Sequence, residues 1–106
     1  MAKVGQITLD DLYEIMTDEK TFVIVDMLKN GERTSAEMIA ESKIFYKTFN
    51  YIVVRMYNAG MLNSRATMKT RIYSLNKDGI NVLIEKLKAI SGQLCSAADK
   101  LAALCF

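Results

Sequence analysis

Residues 71–79, which read Arg-Ile-Tyr-Ser-Leu-Asn-Lys-Asp-Gly, mark the point at which the hydrophobic pattern of the chain changes from strand to helix. Ile72, Tyr73 and Leu75 are residue types that favour a strand. Asn76 follows as a typical helix N-cap, because its side chain can accept a hydrogen bond from the first turn of a helix. This segment therefore predicts the end of a short strand and, directly after it, the start of a final helix.

A two-stranded hairpin is predicted before that helix. Residues 61–66 and 70–75 are short, can alternate between apolar and polar positions, and are joined by a tip that contains Met68 and Lys69. The segments before them follow a different period, because their apolar residues recur every three or four positions. The hairpin is thus expected to follow a helical N-terminal half.

Four helices are predicted within the first sixty residues. Thr8 and Asp18 are suitable N-caps for the first two helices. Ser35 opens a third, shorter helix, and a fourth runs from about 47 to 59 before Gly60 ends it. The inward face of the fourth helix is expected to consist of Phe49, Ile52, Val53 and Met56.

The final helix, expected from near Asp78, carries the most regular apolar pattern in the chain. From Ile80 onward, apolar residues alternate spacings of three and four, which is typical of a heptad seam. One small domain cannot cover such a seam with its own core, so we interpret the part beyond about Ile90 as a dimer interface. The expected interface residues are Leu83, Leu87, Ile90, Leu94, Ala97, Leu101 and Leu104. The alternative is a helix that folds back over the core of the same chain, and a kink or a break is expected at Gly92.

Charge is distributed unevenly, although the net charge is only +2. Residues 1–41 contain nine acidic and four basic residues, whereas residues 42–77 contain seven basic residues and no acidic residue. If the second segment folds onto one face, that face has a positive potential suited to a polyanion. A solvated basic face without a partner is the simpler alternative, but the segment coincides with the fourth helix and the hairpin.

The composition argues against an enzyme and against a metal site. The chain has no histidine, which removes the commonest general base and the commonest metal ligand. Its two cysteines, Cys95 and Cys105, have a spacing that matches neither a redox pair nor a zinc finger. Two ordinary thiols are the simpler interpretation, and an intermolecular disulfide is the alternative. No cofactor is expected.

Length and hydropathy indicate a single domain. A chain of 106 residues with 51% apolar residues is long enough for one hydrophobic core. No apolar stretch approaches the roughly 20 residues that a membrane span needs, and the N-terminal residues contain no signal-peptide core. We therefore expect a cytoplasmic protein with no membrane partner.

Three short segments resemble those of winged-helix repressors. Residues 35–41 resemble the first helix of a helix-turn-helix pair, and residues 58–62, Asn-Ala-Gly-Met-Leu, resemble the end of a recognition helix. Residues 71–79 resemble the segment that joins the second wing strand to the last helix. In this order and spacing they make the chain similar to the ArsR/MarR-type winged-helix superfamily over roughly residues 9–90. The proline-free, methionine-rich sequence with a heptad tail is also similar to small winged-helix proteins of crenarchaea and their viruses.

The chain departs from this superfamily in two respects. The turn before the recognition helix usually carries a glycine, and here residues 43–46, Lys-Ile-Phe-Tyr, stand in its place. The metal-sensing members use clusters of cysteine and histidine, and this sequence has none. The resemblance therefore implies DNA binding without metal sensing. No residue pattern identifies a pocket for a small-molecule effector.

The resemblance implies a mainly α-helical fold with a small β-hairpin wing. Residues 1–77 would form a winged helix-turn-helix DNA-binding domain, and residues 78–106 a long C-terminal dimerisation helix continuous with it. The recognition helix, about 47–59, would enter the major groove, and the wing, 62–75, would contact the backbone or the minor groove. The expected DNA-contacting residues are Tyr46, Lys47, Thr48, Asn50, Tyr51, Arg55, Arg65, Lys69 and Arg71.

The predicted function is sequence-specific binding of double-stranded DNA by a homodimeric, nucleoid-associated transcriptional regulator. Two alternatives remain open at this point. One is a non-specific architectural or chromatin protein. The other is a winged-helix module that binds other proteins, which Phe45, Tyr46, Tyr51 and Tyr57 favour because aromatic residues are enriched at protein interfaces.

Overall fold

Six helices and a three-stranded sheet make up the part of the chain that the computed structural model describes, residues 8–89 and 93–106. The side chain of Gln93 is outside this description. In chain order the elements are α1 (Leu9–Met16), α2 (Glu19–Leu28), β1 (Arg33–Thr34), α3 (Ser35–Ser42), α4 (Tyr46–Asn58), β2 (Leu62–Ala66), β3 (Arg71–Leu75), α5 (Lys77–Lys88) and α6 (Gln93–Cys105). The predicted class, mainly α-helical with a small wing, is confirmed. None of the helices described has the length and apolar character needed to cross a membrane.

Polar side chains cap four of the helices at their N-termini. Thr8, Asp18 and Asn76 each accept a hydrogen bond from a first-turn N–H, as the sequence predicts. Helix α3 is capped by Thr34, which exchanges hydrogen bonds of 3.0 and 3.1 Å with Glu37 in a capping box. The Thr34 backbone N–H, and then its hydroxyl, lower the pKa of the Glu37 carboxyl below its usual value.

The wing is the predicted hairpin of β2 and β3, and β1 adds a third antiparallel strand to its sheet. The strands lie in the order β1-β3-β2, and in the hairpin Arg65 is paired with Ile72. The additional strand β1 pairs Thr34 with Ile72 on the other edge of β3. A strand of two residues is too short to show a periodicity of its own. Its existence follows from pairing with β3.

One hydrophobic core joins the helices to the base of the wing. The predicted inward face of α4, Phe49, Ile52, Val53 and Met56, is confirmed, because each of these side chains is at most 2% exposed. The same cluster includes Ile80 and Leu87 from α5 and Leu101 from α6. Residues on both sides of position 77 therefore share a single core.

The C-terminal segment differs from the predicted long helix. Helix α5 ends at Lys88 and α6 begins at Gln93, so the described chain has two helices here. Helix α6 packs against α5 and also contacts α1 and α2. The predicted kink at Gly92 and the predicted interface residue Ile90 lie outside the described residues. The segment thus takes the alternative arrangement, in which it folds back over the core of its own chain.

The described residues that were assigned to a dimer seam are buried within the chain itself. Five of them, Leu83, Leu87, Leu94, Ala97 and Leu101, are at most 5% exposed, and Leu104 is partly buried against the same core. Their assignment to a dimer seam is therefore corrected. A spacing of three and four residues indicates that a helix face is buried, but not which chain buries it. Dimerisation itself remains a prediction and would use another surface.

Both cysteines lie in α6 as free thiols. Ten residues of helix separate them by about 15 Å, which exceeds the Cα distance that a disulfide allows. Cys95 and Cys105 therefore cannot be bonded to each other within one chain. Burial raises the pKa of the Cys105 thiol, which makes its reactive thiolate form scarcer. An intermolecular disulfide remains a prediction.

Candidate nucleic-acid interface

A residue in the left-handed conformation forms the turn between α3 and α4. Lys43 has φ +60° and ψ +20°, and its N–H donates to the Ile39 carbonyl to close α3. Ile44 and Phe45 follow, and α4 begins at Tyr46, one residue before the predicted start. Lys43 thus adopts the conformation for which helix ends most often use glycine.

One face of helix α4 is exposed to solvent. Lys47, Asn50 and Val54 are exposed on the side opposite the buried stripe. Asn50 makes no hydrogen bond to any residue that the structure describes, so both edges of its amide are open to a ligand. Because positions 50 and 54 are four apart, these two side chains are neighbours on the helix surface. Thr48 is half-buried and faces a recess beside the N-terminus of α2.

Two aromatic side chains project from the leading end of α4. Phe45 is 61% exposed and Tyr46 is 53% exposed, and their ring centroids lie 5.0 Å apart. Phe45 occupies the N-cap position and makes no side-chain cap, in contrast to the capping residues of α1, α2, α3 and α5. The N-terminal end of α4 therefore exposes two aromatic rings and the cation Lys47 to solvent.

The opposite flank of α4 is tied to α1. The Arg55 guanidinium lies 3.5 Å from the Asp11 carboxylate and 3.5 Å from the centroid of the Tyr51 ring. Hydrogen bonding to Glu14, and then partial burial, raise the pKa of Tyr51 above its usual value. Only 25% of the Arg55 side chain is exposed. The structure therefore uses Arg55 to join two helices, a role that the sequence does not reveal because 44 residues separate it from Asp11.

Two of the three cations on the wing donate hydrogen bonds to other side chains. Arg65 is exposed but donates to Glu32 at 2.8 Å, and Arg71 donates to the Ser64 hydroxyl at 2.9 Å. Lys69 lies at the exposed tip, where it makes no ion pair with a described residue. At the base of the tip, the hydroxyl groups of Ser35 and Thr70 lie 3.1 Å apart, which connects the wing to the start of α3.

A shallow groove separates α4 from the wing. It has a volume of about 190 Å³ and is lined by Val53, Val54, Tyr57, Ser64, Arg71 and Tyr73. The Tyr73 ring, which lines the groove, meets the buried Phe49 ring edge to face, with centroids 6.2 Å apart. This contact fixes the position of α4 relative to β3, because aromatic pairs favour such tilted arrangements. The exposed face of α4 and the wing are thereby held side by side.

Four cations in this region have no carboxylate partner among the described residues. They are Lys43 in the turn, Lys47 on α4, and Lys69 and Arg71 on the wing. Lys77, the last base of the acid-free segment, lies near Cys105 at the far end of the chain and does not join them. We name these four residues the open cations. Lys43 was not among the predicted contact residues, because only its position in the turn brings it beside α4.

Solved structures of transcriptional regulators have the same fold. HlyU from Vibrio cholerae N16961 has a TM-score of 0.60 at 21% identity, over 76% of this chain and 87% of that chain. The transcriptional regulator HlyU from Vibrio vulnificus CMCP6 has a TM-score of 0.57 at 19% identity, over 90% of this chain and 84% of that chain. An ArsR family transcriptional regulator has a TM-score of 0.64 at 15% identity, over 84% of this chain and 91% of that chain.

These similarities show that the chain has the winged-helix fold of ArsR-type regulators. No protein-family model matches the chain, and no curated protein matches it either. In such a fold α3, the turn and α4 form the helix-turn-helix, and β2 and β3 form the wing. Three of the open cations lie on α4 and the wing, and the fourth, Lys43, lies in the turn between α3 and α4.

Proposed function

We propose that the protein is a homodimeric transcriptional regulator that binds double-stranded DNA in a sequence-specific manner. The observation that carries this proposal is the exposed face of α4 beside a wing, with four open cations on and around them. The fold shared with transcriptional regulators supports it. A regulator needs both an electrostatic contact to phosphates and side chains that read bases, and this surface offers both.

The two elements have different tasks in this proposal. Helix α4 enters the major groove, where all four base pairs present distinct patterns, and Asn50 is the exposed amide suited to base recognition. Lys43 and Lys47 at its leading end neutralise phosphates. Lys69 and Arg71 contact the backbone or the minor groove from the wing. These wing contacts increase affinity for all duplexes and add little sequence preference.

A second copy of the chain is proposed to dock on α1 and α5. Leu9 is 62% exposed and Val82 is 56% exposed, and both line one shallow recess between these helices. An exposed apolar pair that borders a recess is suited to a self-complementary contact about a two-fold axis. Pairing would present two recognition helices to two half-sites about one helical turn apart.

Sedimentation equilibrium tests this dimer contact. Val82→Glu should shift the protein toward monomer, because a carboxylate would replace apolar surface at the contact and would have to lose its water. The matched control is Val23→Glu, since Val23 is an exposed valine on α2, away from the recess. Equal association of both variants and the unchanged protein would show that this surface is not the interface.

The salt dependence of DNA affinity tests the electrostatic part of the proposal. Four open cations in each subunit make eight phosphate contacts per dimer, which gives a slope of log K against log salt of about −7. Lys69→Ala should weaken binding to all duplexes similarly and make the slope shallower by about 2. A slope near zero would contradict the assignment of this surface to DNA.

Selection of bound fragments from a random duplex library tests sequence specificity. A palindromic consensus with half-sites about 34 Å apart is the expected outcome. Affinity without a consensus would instead indicate an architectural DNA-binding protein. Failure to bind any duplex at low salt would favour a protein-binding module, for which the exposed pair Phe45 and Tyr46 is the specific observation.

A further inference from the structure

The side chains that α4 exposes for contact with bases include no arginine. Helix α4 contains one arginine, Arg55, and arginine is the commonest side chain that reads guanine in the major groove. That arginine is held by Asp11 and the Tyr51 ring on the α1 side of the helix. The exposed face instead presents an amide and a branched apolar side chain, Asn50 and Val54.

We propose that α4 selects A·T base pairs, with Asn50 reading adenine and Val54 contacting the C5-methyl group of a neighbouring thymine. This inference rests on the proposed function. The amide of an exposed asparagine can donate from Nδ2 to N7 of adenine and accept at Oδ1 from the adenine N6 amino group, an acceptor and donor pair that guanine does not offer. The thymine methyl is the one apolar group at a base edge in the major groove, and it is recognised by apolar side chains.

The spacing on α4 is compatible with reading adjacent base pairs. Residues four apart on a helix lie on one face with about 5–6 Å between their Cβ atoms. This separation is within the range of one to two base-pair steps, since each strand rises about 3.4 Å per base pair. Val54 is 40% exposed, so it has apolar surface to lose on contact. Asn50 has no competing partner among the described residues that would have to be displaced.

Four synthetic duplexes test this selection in fluorescence anisotropy at one fixed salt concentration. Each has a simple alternating sequence of about 24 base pairs, long enough for two half-sites. The first contains A·T pairs, and the second contains uracil in place of thymine, which removes only the methyl group. The third contains G·C pairs. The fourth contains inosine·cytosine pairs, which have the major groove of G·C without the guanine amino group in the minor groove.

We expect each subunit to favour the A·T duplex over the G·C duplex about tenfold, so that the dimer favours it about a hundredfold. Uracil should reduce affinity about threefold to fourfold per subunit, because each subunit no longer buries one methyl group. The inosine duplex should bind like G·C, because α4 lies in the major groove. If it binds like A·T, the preference arises in the minor groove and the inference is wrong.

Two variants test which side chains produce the preference for A·T base pairs. Val54→Ala should abolish the difference between the thymine and uracil duplexes while leaving affinity for G·C unchanged. Asn50→Ala should reduce the preference for A·T over G·C from about tenfold per subunit to about the threefold to fourfold that the thymine methyl group supplies. The matched control Asn81→Ala removes the same atoms as Asn50→Ala from an exposed asparagine on α5 and should leave all four affinities as they are.

The outcomes for this inference and for the proposed function are separable. Equal affinity for all four duplexes, or tighter binding of G·C through Lys47, would overturn the inference and leave DNA binding intact. Absence of binding to every duplex at low salt would overturn the proposed function itself. A uracil effect that persists unchanged in Val54→Ala would assign the methyl contact to a different side chain and contradict the role of Val54.

Discussion

Gly79 allows α5 to start where it does. A Cβ atom at this position would lie 1.8 Å from the carbonyl oxygen of Gly60, which is backbone and cannot rotate away. Gly60 itself has φ +85°, in the region that favours glycine. Two glycines thus permit the turn after α4 and the first turn of α5 to touch. This contact gives a physical reason for the glycine that ends the wing-to-helix segment 71–79.

Gly79→Ala should lower the free energy of unfolding by about 2–3 kcal/mol, because the added methyl group forces the backbone segments apart. Urea unfolding followed by circular dichroism measures this loss. Asn81→Ala is the control, since Asn81 is exposed in the same helix and its replacement should change stability by less than about 0.5 kcal/mol. An equal effect of both substitutions would contradict the close approach at Gly79.

The backbone of Lys43 is strained in the turn before α4. Its positive φ brings the Cβ atom close to the following carbonyl group, a strain that glycine does not have. Lys43→Gly should therefore raise the free energy of unfolding by about 0.5–1 kcal/mol, after allowance for the greater freedom of glycine in the unfolded chain. Thermal unfolding measures the change.

Lys43→Ala separates backbone strain from charge. It removes the same cation but keeps a Cβ atom, so it should not reproduce the stabilisation. Both variants should weaken DNA binding to a similar extent, because both delete one open cation. If alanine stabilises the protein as much as glycine does, charge repulsion rather than backbone strain is responsible.

At the scale of one element, the two flanks of α4 serve different purposes. The flank with Tyr51 and Arg55 holds the helix to α1, and the flank with Val53 and Tyr57 borders the wing. Between them lies the exposed strip that includes Lys47. A cation on this helix is therefore not automatically a DNA contact, since its orientation decides its partner.

Two substitutions by uncharged methionine test this division. Arg55→Met should lower the free energy of unfolding by about 1 kcal/mol, because the Asp11 ion pair and the contact with the Tyr51 ring are lost. It should leave the salt slope of DNA binding unchanged. Lys47→Met should do the reverse, with little change in stability and a slope shallower by about 1 per subunit.

Measurement of both slopes on one duplex distinguishes the alternatives. If Arg55→Met makes the slope shallower to the same extent as Lys47→Met, Arg55 leaves Asp11 on binding and contacts a phosphate. That result would return Arg55 to the role predicted from the sequence.

At the scale of the whole molecule, α6 completes the core instead of extending from it. Leu101 is fully buried, and Lys100 lies with its Nζ atom 4.3 Å from the centroid of the Phe22 ring on α2. A protein of 106 residues has a high ratio of surface to volume, so an additional packed helix adds substantially to the buried area. The C-terminal segment therefore contributes to the folding of the monomer.

Leu101→Ala should lower the free energy of unfolding by about 3 kcal/mol, the typical result of a cavity at a fully buried leucine. Leu104→Ala removes the same atoms at a partly buried position and should cost about 1 kcal/mol. Urea unfolding measures both, and sedimentation should show the association state of the folded protein unchanged. Dissociation by Leu101→Ala without loss of stability would restore the dimer-seam interpretation.

Local patterns predicted most of the elements because their causes are local. The caps Thr8, Asp18 and Asn76 bond to residues two or three positions away, so the sequence displays both partners together. The inward face of α4 follows from the spacing of its apolar residues. Strand β1 was missed because two residues carry no period, and its pairing with β3 spans almost forty positions.

The candidate site was predicted only in part for the same reason. The segment 42–77 contains α4 and the wing, and Lys47, Asn50 and Lys69 are exposed as expected. The pairing of Arg55 with Asp11 and of Arg65 with Glu32 depends on residues far away in the chain. Charge counted along a sequence therefore overstates the charge that remains available on the folded surface.

The order of amino acids alone established which segments are helical, where the wing lies and which stretch is free of acids, since each depends on neighbours along the chain. Only the folded chain established that α6 returns to its own core and that Arg55 faces α1. The spacing of apolar residues shows that a helix face must be buried. The distribution of charges shows that a charged side chain needs a partner of opposite charge. The partner that satisfies either requirement is selected by three-dimensional proximity, which depends on every element at once.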